Sequence, residues 1–442
     1  MIMKYSGSVV AKLATPKHIV LLSESNQRVA HSEYAENIHR YLLGKSDSPY
    51  IDNDPMCYYS VDVILGQLQS EGFVTSDVRD KEIVATSPVY HDWGMALVNV
   101  ELIKSDHDNL IYFSNKYDVK CIIVNDFSTP ELKPLLKQFD RYILIKPFGD
   151  YPSVSPVMGS DASCYQCFYD RLLHNQPIRK WWLENRDEEI SVPAAILPDQ
   201  KIKNFLTSLT TPEKDVLKIY SSNYQYISSH HLIPNPECLA CGSLALFPEQ
   251  LESPIKLDKV KKNNYRDGGF RTENPDVTLN KLESLVDPVL GYISDVHSKE
   301  QVSVDKNIIY FSSFYTQPYH KDDFKPERFI YSTMGKGISH RQSQISALSE
   351  AVERIASQYH GNEPKTFAKA NELEGEYVSV EDLTPFSDNQ YSVFENALQS
   401  ENLNQIHQCE PYADEPIHWT HGWSLLSRDK VYLPFNFCYA NT

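Results

Sequence analysis

Apolar and polar positions in residues 1–80 follow the periods of short strands and amphipathic helices. A polar turn separates two apolar runs near the start, which is the pattern of a β-hairpin. Apolar residues then recur at three- and four-residue steps before a last short apolar run. In chain order, the pattern predicts a strand pair at 18–22 and 28–30, helices at 32–43 and 60–70, and a strand at 73–75. Together these elements predict a winged-helix domain.

Residues 81–260 alternate between strand-type and helix-type segments. The predicted strands lie at 83–86, 121–124 and 142–145, with helices at 98–104 and 129–139 between them. Such alternation predicts an α/β layer with a partly parallel sheet. The segment has neither the G-x-G-x-x-G nor the G-x-x-x-x-G-K-[ST] pattern of nucleotide-binding loops, so we interpret it as a scaffold.

Residues 261–442 contain the longest helical pattern, from Arg341 to about His360, without glycine or proline. Its apolar positions form one stripe, which consists of Ile345, Leu348, Val352, Ile355 and Tyr359. A further helix is predicted at 278–285, and strands are predicted at 287–296, 307–315 and 432–439. The chain is therefore predicted to be a multidomain protein of the α+β and α/β classes, with domains at 1–80, 81–260 and 261–442.

A second, more polar stripe runs along the same helix. It consists of Ser343, Ala347, Glu350, Arg354 and Ser357, with Glu353 beside it. Two carboxylates three residues apart repel each other unless a cation lies between them, and Mg²⁺ accepts one or two carboxylates together with water and phosphate. Lys336, between two glycines, is placed to reach phosphate oxygens. By spacing alone, a surface helix with a Glu–Arg pair is the more frequent explanation.

Two cysteine pairs carry the clearest chemical pattern, C-x-x-C at Cys164 and Cys167 and again at Cys238 and Cys241. Two residues between thiolates allow one turn to direct both sulfur atoms at a single ion, and four thiolates complete the tetrahedral shell of Zn²⁺. A redox pair is the alternative, but the presence of two copies favours zinc. Because no coordination position would be open to substrate, the metal is predicted to be structural.

Composition and charge narrow the possible functions. Lys and Arg number 42 against 59 Asp and Glu, a net charge of −17, which opposes binding to nucleic-acid phosphates. The sequence has no apolar segment near the ~18 residues of a membrane span and no apolar run typical of a signal peptide. We therefore predict a cytoplasmic protein that binds neither nucleic acid nor membrane and keeps its cysteines reduced.

Several motifs resemble the heterocyclase branch of the YcaO family, whose members modify ribosomally made peptides. They are Gly335–Lys336, the run from Ser343 to Arg354, and the segments YRDGGFRTENP at 265–275, YHGNEP at 359–364, FSDNQY at 386–391 and HWTHGWSLLSRDKVYLPFNFCYAN at 418–441. The cysteine segments resemble the zinc knuckles of the same proteins, and residues 81–260 resemble their ubiquitin-activating-enzyme-like domain. The resemblance implies a winged-helix domain for precursor recognition, a zinc-bearing middle domain and part of an ATP-binding YcaO domain.

The resemblance implies an ATP-dependent cyclodehydratase that converts Cys, Ser or Thr of a precursor peptide into thiazoline or oxazoline rings. The implied cofactors are ATP, Mg²⁺ and structural Zn²⁺. Glu350 and Glu353 would hold Mg²⁺, Lys336 and Ser343 would contact phosphate, and Arg354 would pair with phosphate or a carboxylate. The leader region of the peptide would add as a strand to the N-terminal hairpin, with contacts from Ile19, Val20, Leu21, Ile64 and Leu68.

Members of this family extend beyond the match at residue 442 and carry a second acidic helix for magnesium there. We therefore expect a downstream half or a partner chain to complete the nucleotide site, and a homodimer is a further expectation. This chain would then have an open acidic half-cavity around Glu350 with exposed apolar surface nearby. Two other functions stay open, a non-catalytic scaffold that binds the leader peptide and a separate synthetase, and a YcaO enzyme of different output such as thioamide formation.

Overall fold

The computed structural model describes most of the chain in long ranges joined by short ones. The long ranges are 3–76, 118–185, 211–243, 253–298, 308–316, 329–399 and 415–440, apart from gaps at 7–8, 25, 52–53, 125, 129–131, 148, 161, 255 and 266–268, and the short ones are 83–84, 89–91, 95–97, 194–195, 204–205, 208–209 and 324. Internal contacts divide the chain into two compact units, 1–241 with 275–351 and 242–274 with 352–442. The prediction divided the chain into three domains, with boundaries near residues 80 and 260, whereas the contacts divide it into two units. Among the described residues, no helix is long and apolar enough to cross a membrane.

The N-terminal segment forms a three-stranded antiparallel sheet with two helices on one face. Its elements are β1 (Lys4–Tyr5), β2 (Val10–Thr15), β3 (His18–Leu22), β4 (Gln27–His31), α1 (Ala35–Leu42), α2 (Pro55–Ser70) and β5 (Val74–Thr75). The sheet has the order β2–β3–β4, so the predicted hairpin is confirmed, as are both helices. Helix α2 begins earlier than predicted because the Asp54 side chain accepts hydrogen bonds from the backbone N–H groups of Met56 and Cys57.

Strand β3 lies in the middle of this sheet, and both of its faces are covered. Ile19 and Leu21 pack with helices α1 and α2. On the other face, Val20 packs with Trp181 and Trp182. Ile19, Val20 and Leu21 expose 0%, 1% and 0% of their surface. Strand β2, which the pattern did not predict, pairs with β3, so only β4 of the predicted hairpin lies at an edge of the sheet. The predicted contacts of Ile19, Val20 and Leu21 with a peptide are therefore wrong.

The middle of the larger unit contains a mixed sheet with helices. The elements of this part of the chain are β6 (Ile83–Val84), β7 (Val89–His91), β8 (Met95–Leu97), β9 (Lys120–Ile123), α3 (Leu132–Leu136), β10 (Arg141–Lys146), β11 (Ser153–Val154), β12 (Met158–Gly159), α4 (Tyr165–His174), α5 (Pro177–Asn185), β13 (Ala194–Ala195), β14 (Val216–Tyr220) and β15 (Tyr226–His231). The mixed sheet consists of β9, β10, β11, β12, β14 and β15, while β6 pairs with β13 and β7 with β8 in separate sheets. Strands β9 and β10 pair in parallel and the other pairs of this sheet are antiparallel, which confirms the partly parallel sheet. The helix predicted at 129–139 is limited to α3, and the one predicted at 98–104 lies outside the described residues.

The remaining elements carry the segment that resembles the YcaO family. They are β16 (Asn263–Tyr265), β17 (Gly269–Arg271), α6 (Pro275–Glu283), β18 (Asp295–Ser298), β19 (Ile308–Tyr315), β20 (Ile330–Gly337), α7 (His340–Ala356), β21 (Thr366–Ala368), α8 (Val380–Leu383), α9 (Asp388–Gln399), β22 (Ile417–Trp423), β23 (Lys430–Pro434) and α10 (Phe435–Cys438). Strands β18, β19 and β20 form an antiparallel sheet in the larger unit. Strands β21, β22 and β23 form another in the smaller unit.

Two strand predictions in this part are wrong over much of their length. Residues 287–294 form turns, because the Asp287 carboxylate accepts hydrogen bonds from the backbone N–H groups of Val289 and Leu290, and the strand β18 begins only at Asp295. The strand predicted at 432–439 ends at Pro434, where α10 begins. In the smaller unit, Trp419 of β22 is fully buried, and its indole Nε1 donates a hydrogen bond to the Ala368 carbonyl at 2.9 Å.

Helix α7 lies very close to strand β20 because glycines of the strand face it. A Cβ atom at Gly335 would lie 2.0 Å from the carbonyl oxygen of Ser343 and 2.2 Å from the amide nitrogen of Ala347. Small side chains fit at that distance, and the fully buried positions of α7 are Ser343, Ala347, Leu348 and Ala351. Of the apolar stripe predicted for this helix, only Leu348 is fully buried, so the helix is rotated relative to the prediction.

We expect Gly335→Ala to lower the free energy of unfolding, because the added methyl group must displace backbone atoms of α7. Overpacking of this kind typically costs ~1–3 kcal/mol. Urea unfolding of the full chain measures the change. Gly66→Ala is the matched control, since its Cβ would meet nothing within 4 Å in the middle of α2 and alanine favours a helix over glycine. An unchanged transition in Gly335→Ala would contradict the close contact.

Candidate functional site

The exposed flank of helix α7 carries the polar residues that can act on a ligand. Ser346, Glu350 and Glu353 follow one another at four- and three-residue steps, which places them on one side of the helix. Ser346 and Glu353 are exposed and Glu350 is half-buried. Arg354, one residue further, is also exposed. A hydroxyl and two carboxylates on one flank are oxygen donors of the kind that a hard divalent cation and a phosphate group require.

Ser343, predicted to contact phosphate, lies on the side of α7 that packs against the sheet. Its side chain is fully buried, and its hydroxyl Oγ lies 2.8 Å from the carbonyl oxygens of both Ile308 and Gly335. The hydroxyl therefore donates to the backbone of the sheet and has no access to a ligand, so the predicted role of Ser343 is wrong. Sequence analysis missed Ser346, although its distances of four and seven residues from the two glutamates are those of a single helix face.

The side chain of Lys336 lies on the face of strand β20 that α7 does not cover. Thr333 and Gly335 are buried on the face that α7 covers, and alternation along the strand directs the side chain of Lys336 away from it. The structure does not bring Lys336 together with Ser343, contrary to the prediction. The same outer face carries apolar side chains, since Ile330 and Met334 expose 49% and 41% of their surface.

Four cysteine thiols meet in the larger unit. Cys164 caps the N-terminus of α4, Cys167 lies in its first turn, and Cys238 and Cys241 lie in the segment after β15. The Sγ atoms of Cys164 and Cys238 are 3.6 Å apart, those of Cys167 and Cys241 are 3.5 Å apart, and all four lie within 4.8 Å of one another. Sulfur atoms around a tetrahedral ion with bonds of about 2.3 Å are about 3.8 Å apart. The cluster can therefore hold one thiophilic metal ion, as the spacing predicted.

Hydrogen bonds around Cys164 favour its thiolate form. The backbone N–H of Cys167 donates to Cys164 Sγ at 3.4 Å, and that of Ala240 donates to Cys238 Sγ at 3.5 Å. The hydrogen bond from the Cys167 thiol, together with this backbone bond, lowers the pKa of Cys164 to about 5. Metal binding requires deprotonated sulfur, so Cys164 is the member of the cluster that is prepared for it at neutral pH.

The cysteine-bearing helix α4 also holds the loop that leads into the YcaO-like sheet. Arg171 donates a hydrogen bond from Nη2 to the Gly291 carbonyl at 2.6 Å, and its guanidinium carbon lies 3.7 Å from the ring centre of Tyr292. Asn175 Nδ2 donates to the carbonyls of Val289 and Gly291 at 2.9 and 3.0 Å. Strand β18 begins a few residues later, so the thiol cluster and the sheet beneath α7 are connected through one helix and one loop.

A cavity of about 650 Å³ lies between the N-terminal sheet and the mixed sheet of the same unit. Its lining includes Val29 at the edge of β4, Lys146 at the carboxyl end of β10, and Asp126, which follows β9. Lys146 Nζ lies 2.5 Å from a carboxylate oxygen of Glu24, and Arg179 pairs with Asp126. Burial alone would raise the pKa of Asp126, but the attraction of Arg179 outweighs it and lowers that pKa. Both acids are therefore held as ion pairs in a cavity whose wall combines polar and apolar side chains.

Comparison with known proteins agrees with these features. Residues 334–442 match the family model described as YcaO cyclodehydratase, ATP- and Mg2+-binding. Over 100% of the chain, the fold is similar to a heterocyclase in complex with substrate and cofactor (TM-score 0.64, 20% identity) and to the heterocyclase TruD (TM-score 0.51, 17% identity). The chain spans 65% and 64% of the lengths of these two chains. No curated protein matches it. Residues 334–442 therefore match the YcaO family, and the chain has the fold of the heterocyclases, as its motifs predicted.

We expect the purified chain to contain one thiophilic metal ion per molecule and Cys164→Ser to lose it, because three thiolates leave the shell incomplete. Elemental analysis measures the metal, and thermal unfolding should show a loss of stability of the larger unit. Cys438→Ser is the control, since Cys438 lies outside the cluster and should leave the metal content unchanged. Full metal content in Cys164→Ser would show that the four sulfur atoms do not form the site.

Proposed function

We propose that this protein takes part in ATP-dependent cyclodehydration of a ribosomally made peptide. A Cys, Ser or Thr side chain of the peptide attacks the preceding backbone carbonyl, ATP phosphorylates the resulting oxyanion, and phosphate leaves as the azoline ring forms. The activation is needed because an amide oxygen is a poor leaving group. The single observation that supports the proposal best is the match of residues 334–442 to the YcaO family in a chain whose whole fold is similar to heterocyclases.

The outer flank of α7 is the proposed nucleotide contact. Glu350 and Glu353 would hold Mg²⁺, which takes one or two carboxylates and completes its shell with water and phosphate oxygens. We assign the phosphate-contacting hydroxyl to Ser346, because it shares the exposed flank with both carboxylates. The roles of Lys336 and Arg354 as contacts to phosphate or a carboxylate stay predictions. The protein would contribute positioning and charge neutralisation, as in other phosphoryl transfers.

The thiol cluster is proposed to hold structural Zn²⁺. Four thiolates fill a tetrahedral shell, so no position stays open for substrate or for activated water. The hydrogen bonds from Arg171 and Asn175 to the loop at 289–291 suggest what the metal stabilises, namely the approach of that loop to α4. A redox pair is disfavoured because the two C-x-x-C segments bring four sulfur atoms to one place, whereas a redox pair needs only two.

Leader recognition is proposed at the edge strand β4, with the N-terminal segment acting as a winged-helix peptide-binding domain. The N–H of Ser23 donates to the Asn26 carbonyl and that of Ser32 to the Lys17 carbonyl. In an antiparallel pair, the backbone groups of successive residues point alternately toward and away from the partner strand. Between these two hydrogen bonds, the N–H and C=O groups of Gln27, Val29 and His31 therefore point away from β3. A peptide strand can pair with such an edge, and the cavity beside Val29 can receive one of its side chains.

Two residues of α2, Ile64 and Leu68, were also predicted to contact the peptide, and their burial changes that prediction. Leu68 is 2% exposed and packs in the core between α2 and the sheet, so it supports the edge without touching a peptide. Ile64 is half-buried and lies on the rim of that core. The proposed contact surface therefore consists of the β4 backbone edge, Ile64 and the cavity wall. A net charge of −17 argues against nucleic acid at this domain.

We expect the chain to bind ATP in a Mg²⁺-dependent manner and Glu350→Gln to weaken that binding at least about tenfold, since the amide cannot replace a carboxylate ligand. Calorimetry with and without Mg²⁺ separates the metal-dependent part. Glu381→Gln, an exposed acid on helix α8, is the control and should bind like the parent. Binding that ignores Mg²⁺, or an unchanged affinity in Glu350→Gln, would favour a non-catalytic scaffold.

We expect Val29→Pro to weaken binding of the precursor peptide about tenfold or more, because proline removes an outward N–H from the edge that the leader would pair with. Fluorescence anisotropy with labelled peptides encoded next to the gene measures the affinity. Ala11→Pro is the matched control, since it lies on β2 at the other edge of the same sheet and its N–H also points outward. Equal losses in both variants would place recognition elsewhere. Removing residues 1–80 is a poorer test, because it would expose Trp181 and Trp182.

A further inference from the structure

Three side chains in the larger unit form a hydrogen-bonded chain that the proposed cyclodehydration does not use. Ser228 Oγ lies 2.8 Å from His230 Nε2, and His230 Nδ1 lies 2.9 Å from the nearer carboxylate oxygen of Asp287. The histidine and the serine are two residues apart on strand β15, so both side chains lie on one face of the sheet. His230 lies on the strand with 7% of its surface exposed.

The donor and acceptor atoms of this chain fix its proton arrangement. A carboxylate has acceptor atoms only, so the ring proton of a neutral His230 lies on Nδ1 and points at Asp287. Nε2 is then an acceptor, and the Ser228 hydroxyl donates to it. Burial alone would raise the pKa of Asp287, but hydrogen bonds from His230 and from the backbone of Leu290 and Val289 outweigh it and lower that pKa. The carboxylate is therefore charged, and this is the arrangement that activates a serine nucleophile.

The backbone next to Ser228 provides a further requirement of acyl transfer, a hydrogen-bond donor for the oxyanion. The Leu232 N–H donates to the Asp215 carbonyl. Because successive N–H groups of β15 point alternately toward β14 and away from it, the N–H of Ser229, three residues earlier, points away from β14. In the part of the chain that the structure describes, β15 has no strand partner on that side, so this N–H points to the sheet edge next to the hydroxyl. A backbone N–H that follows the nucleophile is a suitable donor to a developing oxyanion.

The cavity described above lies on the same face of the sheet, and apolar residues form the part of its wall next to β15. Ser228 and His230 pair across the sheet with Ile219 and Leu217, and both of these partners line the cavity of about 650 Å³. Val289, which donates its backbone N–H to Asp287, lines it as well. The half-buried hydroxyl of Ser228 therefore lies one strand away from an apolar wall that can accept an acyl chain.

We propose that Ser228, His230 and Asp287 form an acyl-transfer site for carboxylic esters with an apolar acyl group. Ser228 Oγ bonds to the acyl carbon while its proton passes to His230 Nε2, and the alcohol leaves with that proton as the carbon–oxygen bond breaks. Water then attacks the acyl-serine, again losing its proton to His230, and the acid is released with Ser228 restored. Asp287 is a positioning residue that holds the imidazole in the required tautomer.

A fluorophosphonate probe tests the nucleophile in the full chain, because loss of fluoride leaves a stable phosphonyl adduct on an activated serine. We expect one adduct per chain, located on Ser228 by peptide mass spectrometry, and slow hydrolysis of p-nitrophenyl butyrate. Ser228→Ala should abolish both. Ser222→Ala, in the turn between β14 and β15, is the control and should react like the parent. No adduct on the parent chain, or labelling of several serines at similar rates, would overturn the proposal.

Asp287→Asn separates activation of the serine from a purely structural role of the same contacts. The amide oxygen can still accept the backbone N–H groups of Val289 and Leu290, while its NH₂ group faces His230 Nδ1 and forces the ring proton onto Nε2. We expect the labelling rate to fall about 100-fold or more, the usual contribution of a general base, with little change in thermal unfolding. Asp287→Glu should recover part of the rate. Equal labelling of Asp287→Asn and the parent chain would show that the three residues only hold the loop at 287–291.

Discussion

The contact between helix α7 and strand β20 decides which residues of the YcaO-like segment can meet a ligand. Gly335 has no side chain, so the backbone of α7 comes within van der Waals distance of the strand at Ser343 and Ala347. The Ser343 hydroxyl then bonds to backbone carbonyls of the sheet, and the Ala347 carbonyl accepts hydrogen bonds from Ser312 and Thr333. Because this side of the helix is closed, the flank with Ser346, Glu350 and Glu353 faces outward.

A second constraint connects the thiol cluster to the same sheet. Residues more than seventy positions apart in sequence bring their sulfur atoms together at the start of α4. Further along that helix, Arg171 and Asn175 hold the loop that precedes β18. Loss of a metal bound by this cluster would therefore act on the loop that leads into the sheet beneath α7, although no cysteine lies near α7 in sequence. A structural ion can in this way support a distant site without taking part in its chemistry.

Sequence patterns predicted features that depend on short-range spacing. They failed where contacts between segments distant in sequence decide which residues are buried. The hairpin at β3 and β4 and the cysteine cluster follow from short-range spacing, and both are present. The covering of β3 depends on β2, a strand that the pattern did not predict, so Ile19 and its neighbours were assigned to a peptide surface. Ser343 was assigned to phosphate by the family resemblance and by its place on the polar stripe, and spacing alone cannot show that the contact with Gly335 buries this position.

Paired serine substitutions test most directly whether the glycine-mediated contact determines the ligand-binding flank. Calorimetry with Mg-ATP and urea unfolding should be measured on Ser346→Ala and Ser343→Ala of the full chain. The account predicts that Ser346→Ala weakens nucleotide binding and leaves the unfolding transition unchanged. It predicts that Ser343→Ala lowers stability by about 1 kcal/mol or more, since two buried carbonyls lose their donor, and leaves the nucleotide affinity nearly unchanged. The reverse result, with Ser343→Ala losing affinity at full stability, would contradict the account.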